Sequence, residues 1–305
     1  MSDGWAIRVP ASSANLGAGF DVLGMALTLH AEIGVGVAPA GATVADERHP
    51  ATVAFRGLGG DGPLWVRSPI PMGRGLGFSG AVRVGGAVAA RVQRDGREVL
   101  DDGPSMQETL AEVARLEGHT DNAAASLYGG LVVVAGDTAT RVPLAFDPAV
   151  VVWVPDATTT STDRSRTTLS ESVSRSDAVF NLGRVGTFVA ACASGDAAAL
   201  RLATEDRLHQ PARLAAVPET AAALRAGLDA GVWAAWLSGS GPSVAMLCES
   251  ARSEEVAEAL PSGGHTKRLR IDHEGATVID VAQADDVPIG TSTDIPSARG
   301  EGAAG

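Results

Sequence analysis

Three glycines and a serine, Gly73, Gly75, Gly77 and Ser79, stand close together between two stretches of opposite character. Before them, Leu64 to Ile70 is β-branched and aromatic enough to enter as a strand; after them, Ala81 to Val92 carries apolar residues at helical spacing. Strand, glycine-rich turn and helix in that order make an anion site. Glycine lets the backbone take positive φ and approach a ligand, while the helix opens with unpaired N–H groups and the positive end of its dipole. The natural occupant is phosphate. A Walker-type loop is excluded because the only lysine in the chain is Lys267. Gly75-Leu-Gly77-Phe-Ser-Gly80 fits the dinucleotide pattern, yet the following Arg94 to Pro104 is too polar for the second buried strand that such a fold requires. A tight strand-to-helix turn without a ligand is the plain alternative.

A second chemical signal is Glu117. The helix expected over Ser105 to Gly118 places Met106, Leu110 and Val113 on one stripe, and four places further the stripe reaches this carboxylate. A buried carboxylate needs a partner, which magnesium facing a nucleotide or an arginine would supply equally well. Asn15 and Asp21 are the strongly polar members of an otherwise small and apolar stretch, where turn formation is the commoner role for such residues.

The elements that must position these groups follow from the pattern. Trp5 to Pro10, Leu27 to Val37 and Ala42 to Val44 read as strands, and Asp46 to Leu58 holds a short helix. Ala123 to Tyr128 and the strand pair Leu131 to Ala135 and Thr140 to Leu144 complete a first half, with a boundary near Asp147-Pro148. The second half opens with strand Val150 to Pro155. Thr158 to Arg166 reads as a loop ending in a short helix, followed by helices Asp177 to Ser194, Ala197 to Leu208 and Glu219 to Gly231. Strands Trp233 to Leu237 and Val244 to Cys248, helix Glu254 to Leu260, and strands Thr266 to Ile271 and Ala276 to Val281 follow in an α+β plait. The expected organisation is 1–148, 149–284, and a disordered tail 285–305 rich in Gly, Ser, Pro, Ala and acid.

Composition bounds the function. With 305 residues, 45% hydrophobic and 20% charged, the chain is long enough for two domains and reads as a soluble protein with no membrane-spanning run. The opening Met1-Ser-Asp-Gly-Trp-Ala-Ile-Arg8 has no leader-like segment, and Cys192 and Cys248 are too few for a disulfide framework, so the expected compartment is the cytosol. A net charge of −12 excludes general nucleic-acid binding. A phosphate ligand must then be gripped locally.

Taken together, the motifs resemble a known family. Val9-Pro-Ala-Ser-Ser-Ala-Asn-Leu-Gly-Ala-Gly-Phe-Asp-Val-Leu-Gly24, the loop Pro71 to Gly80, Glu117-Gly-His-Thr-Asp-Asn122 and Leu237-Ser-Gly-Ser-Gly-Pro242 resemble, in order, the motifs of the homoserine kinases, a branch of the GHMP small-molecule kinases. Asp206-Arg-Leu-His-Gln-Pro-Ala-Arg213 and Ser161-Thr-Asp-Arg-Ser-Arg166 are similar to the same branch, and the likeness spans residues 5 to about 280. The resemblance implies an α+β, two-domain GHMP kinase fold, with an N-terminal βαβ-type ATP-binding domain and a C-terminal ferredoxin-like α/β plait. It implies ATP-dependent phosphorylation of the side-chain hydroxyl of L-homoserine, on the way to threonine. The alternatives are a GHMP-type kinase of another small hydroxy acid and a non-catalytic ligand-binding relative.

By the same resemblance, Pro71, Met72, Gly73, Arg74, Gly75, Leu76, Gly77, Phe78, Ser79, Gly80 and Ala81 cradle the ATP phosphates, and Ser79 and Glu117 hold Mg²⁺ through hard oxygens. Asp21 fits the homoserine ammonium; Arg166 and Arg213 fit its carboxylate, which guanidinium binds bidentately. Asn15, Thr162 and Asn122 complete the substrate side, with Asn122 by the reacting hydroxyl and Asp121 a lesser candidate for its proton. Two departures stand out. The family usually reads Gly-Leu-Gly-Ser-Ser-Ala where this chain has Gly77-Phe78-Ser79-Gly80, so Phe78 either crowds the nucleotide or packs inward. The adenine-side segment Asp46-Glu-Arg-His-Pro50 leads into a shortened helix. Sequence leaves the oligomeric state open, with a homodimer as one option.

Overall fold

The computed structural model describes residues 4–156, 165, 167 and 169–281, arranged as two antiparallel sheets with helices packed on them. Thr162, Arg166, most of the expected loop 158–166 and the tail 285–305 lie outside the described residues.

The first sheet is organised around β2 (Leu23–Val35). Strand β1 (Trp5–Ala14) runs antiparallel along one side of it. On the other side β4 (Leu64–Arg67) pairs with its end and β5 (Leu131–Ala135) with its start, so β4 and β5 point the same way. The helices α2 (Phe78–Asp95), α3 (Gly103–Glu117) and α4 (Asp121–Tyr128) make the crossover between them. β3 (Thr43–Ala45) extends the sheet beyond β4, β6 (Thr138–Val142) beyond β5, and α1 (Pro50–Gly57) packs on α2.

Local signals explain where these helices begin and end. The Asp102 side chain accepts a hydrogen bond from the Ser105 amide at the start of α3, next to a proline in its first turn, and Gly118 closes the helix at φ 78°. Met106, Thr109, Leu110 and Val113 form its buried face. Glu117 therefore arrives at the C-terminal end of a stripe already anchored in the core.

The second sheet has the order β10 (Gly264–Arg270), β7 (Ala149–Pro155), β9 (Val244–Cys248), β8 (Ala234–Leu237), the arrangement of a βαββαβ plait. Strands β7, β8 and β9 are buried along their whole length, and alternate residues go to different cores. Val150, Val152, Trp236 and Leu247 join the large core that also holds Leu16, Leu23 and Leu76, under α5 (Arg175–Ser194) and α6 (Ala197–Ala203). Val151, Trp153, Val244 and Met246 face α8 (Pro218–Asp229) and α9 (Ser253–Glu258). One continuous core thus binds the two halves together. Among the described residues, no helix is long and apolar enough to cross a membrane.

Three local expectations need correction. The first strand continues to Ala14, through a register shift between Pro10 and Ala11, because Ala11 to Ala14 keep pairing with β2. The helix expected over Ala197 to Leu208 stops at Ala203. The Asp206 carboxylate takes the amides of Leu208, His209 and Gln210 and turns the chain, and Pro211 then starts a separate helix, α7 (Gln210–Ala215). The last strand, β11 (Thr277–Asp280), expected with the plait, instead pairs with β1, Trp5 opposite Asp280, and forms the edge of the first sheet.

Candidate active site

At the exit of β4 the chain makes the glycine turn, and Gly73, Gly75 and Gly77 all adopt positive φ (64°, 73° and 66°). Two of these positions have no room for a side chain. A Cβ on Gly75 would lie 2.2 Å from the Ser238 carbonyl oxygen, and one on Gly77 would lie 2.0 Å from Ser12 Oγ. Gly77 is also the residue from which α2 starts. The turn is held from behind by the Ser238 hydroxyl, which donates to the Gly75 carbonyl at 2.6 Å, and by the Ser12 amide, which donates to the Leu76 carbonyl at 3.2 Å. Ser238 comes from the second half of the chain and Ser12 from the first strand, so the turn is a seam between the halves.

In front of the turn lies a cavity of about 340 Å³. It collects Pro71, Met72, Gly73, Gly75, Leu76, Gly77, Phe78, Ser79 and Gly80 on one side, Asn15, Asp21 and Arg213 on another, and Glu117, Asp121 and Asn122 on a third. Two predicted loop residues turn elsewhere. The Arg74 guanidinium donates to the carbonyls of Pro155 and Asp156, and Ala81 is fully buried with its amide bonded to the Gly77 carbonyl. Phe78 lines the cavity and also packs, half-buried, against the core, edge-on to His49 with ring centroids 6.4 Å apart. Burial holds His49 below the usual imidazole range, against the pull of Asp46.

The carboxylate side is more occupied than the sequence suggests. Ser79 Oγ donates to Glu117 Oε1 at 2.6 Å, and the guanidinium of Arg83 donates to both of these oxygens. The partner that Glu117 required is an arginine. Hydroxyl and carboxylate are donors of the kind Mg²⁺ takes. Yet a guanidinium already seated on both leaves no place for an ion there, so this arrangement does not fit the metal role expected of Ser79 and Glu117. His119 Nδ1 lies 3.1 Å from Asp121 Oδ1, which also accepts the Asn122 amide at 2.8 Å. Asn122 Oδ1 in turn accepts the Ser12 hydroxyl at 2.9 Å. Asp121, 2% exposed, thus holds its neighbours in place.

The opposite wall is a strained loop clamped by buried side chains. Asn15, Leu16 and Asp21 all sit at positive φ, a conformation that non-glycine residues adopt at some cost and that gathers at functional sites. Asn15 holds the loop by accepting the Asp21 amide at 3.1 Å and donating to the Gly239 carbonyl at 2.8 Å. Asn181 donates to the Ala18 carbonyl and to Asp206. His209, wholly buried, contacts the Gly17 carbonyl through Nε2 at 2.8 Å, and Arg213 Nη1 faces its Nδ1 at 3.1 Å. A carbonyl can only accept and a guanidinium only donate, which fixes a neutral imidazole protonated on Nε2. Burial agrees, holding His209 below its ordinary pKa although the Asp206 carboxylate opposes it. Asp206 remains below the usual carboxylate range: burial pushes it up, but the hydrogen bonds it accepts from Asn181 and from the backbone amides of Gln210 and Leu208 outweigh that. Arg213 also lies over the Phe20 ring, 5.3 Å from its centroid.

Arg83, His119, Phe20 and His209 are site residues that the sequence reading did not single out. Arg83 had one available signal, its place four residues after Ser79 on the same helix. The two cysteines are buried, and burial pushes their thiols up to about 12 (Cys192) and about 11 (Cys248).

The chain matches the models for the GHMP kinases N terminal domain over residues 43–130 and the GHMP kinases C terminal region over residues 188–266. It is 36% identical to a homoserine kinase of Desulfitobacterium hafniense, over 90% of this chain and 99% of that protein. It is 38% identical to a homoserine kinase of Thermus thermophilus, over 83% and 90%. Its fold resembles the crystal structure of a homoserine kinase from Cytophaga hutchinsonii, with TM-score 0.77 at 24% identity over 92% of this chain and 98% of that one. It also resembles a mevalonate kinase, with TM-score 0.64 at 13% identity over 88% and 99%. The chain belongs to the homoserine kinase branch of the GHMP kinases.

Proposed function

We propose that the protein transfers the γ-phosphoryl group of ATP to the side-chain hydroxyl of L-homoserine, giving O-phospho-L-homoserine and ADP. The observation that carries this reading is one cavity in which the start of α2 faces Asp21, Arg213 and Asn122. Phosphoryl transfer asks the protein mainly for position and charge neutralisation. The amides at the glycine turn meet the polyphosphate. Magnesium comes in with the nucleotide, and the Ser79–Glu117 corner is not its seat.

On the acceptor side, Asp21 takes the ammonium, Arg213 the carboxylate, and Asn122 the region of the hydroxyl. The hydroxyl oxygen forms the new bond to the γ-phosphorus as the bond to the ADP oxygen breaks, and the hydroxyl proton is released to solvent. Asn15 acts through Asp21 and Gly239, keeping the loop in its strained form. Asp121 orients Asn122. Thr162 and Arg166 belong to this side on the strength of their motif alone. A second copy of the chain is a reasonable partner in solution, which sedimentation would decide.

The direct test measures ADP release with Mg-ATP and a panel of L-homoserine, mevalonate, pantoate and shikimate. We expect L-homoserine to give the highest kcat/KM of the four. No release above the buffer rate from folded protein, or a preference for another acceptor, overturns the reading.

A further inference from the structure

Arg83 lies where a divalent cation would otherwise be expected. Helical side chains lean toward the helix N-terminus, so a residue four places on covers the turn before it. Arg83 thereby reaches back over Ser79, in the first turn of α2, and its Nη1 donates to Ser79 Oγ and to Glu117 Oε1. A helix start is an unfavourable place for a positive charge, because the open amides already present one. Glu117, with its side chain 6% exposed, balances it. The Arg83 Nε is buried with no hydrogen-bond partner, so the guanidinium is held at this spot through its charged end alone. Among the described residues, no group of three or more His, Cys, Asp or Glu gathers in a way that could hold a metal ion. One guanidinium therefore does at this corner what an ion would do: it neutralises the buried carboxylate and adds positive charge beside the phosphate loop.

We propose that Arg83 is a built-in replacement for a protein-bound divalent cation. It fills the Ser79–Glu117 corner, keeps a metal ion from binding there, and lends its charge to the anion held at the start of α2. The proposal rests on the kinase reading for the identity of that anion, and on geometry alone for the occupancy of the corner.

The test is Mn²⁺ binding to the nucleotide-free full-length protein, followed by electron paramagnetic resonance of the free ion. The native protein shows no Mn²⁺ site that depends on Glu117. Arg83→Met uncovers one that binds about tenfold tighter than any site in the native protein, since two hard oxygens become available. Combining Arg83→Met with Glu117→Gln removes that site again, and Arg83→Lys, which keeps a cation in place, does not create it. In the same preparations, metal-free ATP measured calorimetrically in EDTA binds Arg83→Met about tenfold more weakly, because a charge near the phosphates has gone and the Glu117 charge is no longer offset by a guanidinium. Damage to the fold would lower both affinities, whereas the proposal needs them to move in opposite directions.

Equal Mn²⁺ binding by the native protein and Arg83→Met overturns the proposal, as does unchanged ATP affinity. A Mn²⁺ site in the native protein that Glu117→Gln abolishes overturns it even if Arg83→Met fails to fold. If Arg83→Met gains its Mn²⁺ site while the native enzyme releases no ADP with L-homoserine, the corner assignment stands and the kinase reading falls.

Discussion

The two walls of the cavity are made in different ways. The phosphate side is a short continuous stretch, a strand end, a glycine turn and a helix start, and it presents mostly backbone. The acceptor side is assembled from residues far apart in the chain. Asn15 bonds to Gly239 across 224 positions and His209 to Gly17 across 192, through side chains that are almost entirely buried. A backbone cradle tolerates a change of side chain wherever a Cβ has room. A buried polar network does not, since each member leaves another unsatisfied when it goes.

The largest effect should come where the two walls touch. In Gly75→Ala the new Cβ meets the carbonyl oxygens of Ser238 and Gly241 from the other half, at 2.2 and 2.9 Å, in a left-handed backbone conformation. Overpacking and the positive φ together should remove about 3 kcal/mol of stability in urea denaturation. A loss below about 1 kcal/mol would mean that the seam gives way easily.

Next is Arg213→Ala, which separates the walls. Losing the charged contact proposed for the homoserine carboxylate should raise KM for homoserine about 100-fold, while KM for ATP moves less than about threefold. Arg213→Lys should recover little, because a point charge cannot copy the fork. Equal changes for both substrates would place Arg213 at the seam rather than on the acceptor side.

A smaller effect follows from pH. His209 is held neutral below its ordinary pKa, so the unfolded chain takes up a proton that the folded chain refuses. Stability is then full above about pH 6.5 and falls as pH drops below that value. Asp206, also depressed, adds a second loss at lower pH, as it becomes protonated. Urea midpoints measured from pH 8 to 5 should decline, and the slope between pH 6.5 and 5 should flatten in His209→Gln.

The smallest effect is expected for Phe78→Ser. On the proposed reading the phosphate contact there comes from the backbone N–H, so KM for ATP should change less than about threefold. A larger change would make the Phe78 ring, and not only the amides, part of nucleotide binding.

The same contrast explains what could be read from the sequence. Gly73, Gly75, Gly77 and Ser79 announce the phosphate side, because a turn followed by a helix is a local matter that residue types encode. The two-layer plait and most strand positions are equally visible in hydrophobic alternation. The acceptor side was visible only as motifs, Asn15 to Asp21 and Asp206 to Arg213, whose meeting depends on how the halves dock. His209 gave no sign of joining them through its contacts with Gly17 and Arg213. A histidine in a polar segment looks alike whether it lies on the surface or at 0% exposure. Arg83 was hidden for another reason: on a helix face, an arginine reads as solvated until a carboxylate from a different helix is placed beside it. The final strand was misassigned because alternation says that a strand exists but never which sheet will take it.

That final strand also bears on how the protein comes to be folded. Trp5 to Arg8 find their outer neighbours only in Thr277 to Asp280, so during synthesis the opening segment leaves the ribosome long before its mate is made. Until then one flank of β1 stays unzipped and able to recruit a foreign strand. Maturation is expected to be slow and dominated by distant contacts. Chains released before residue 277 should prove sticky even though every residue of the phosphate turn is already present.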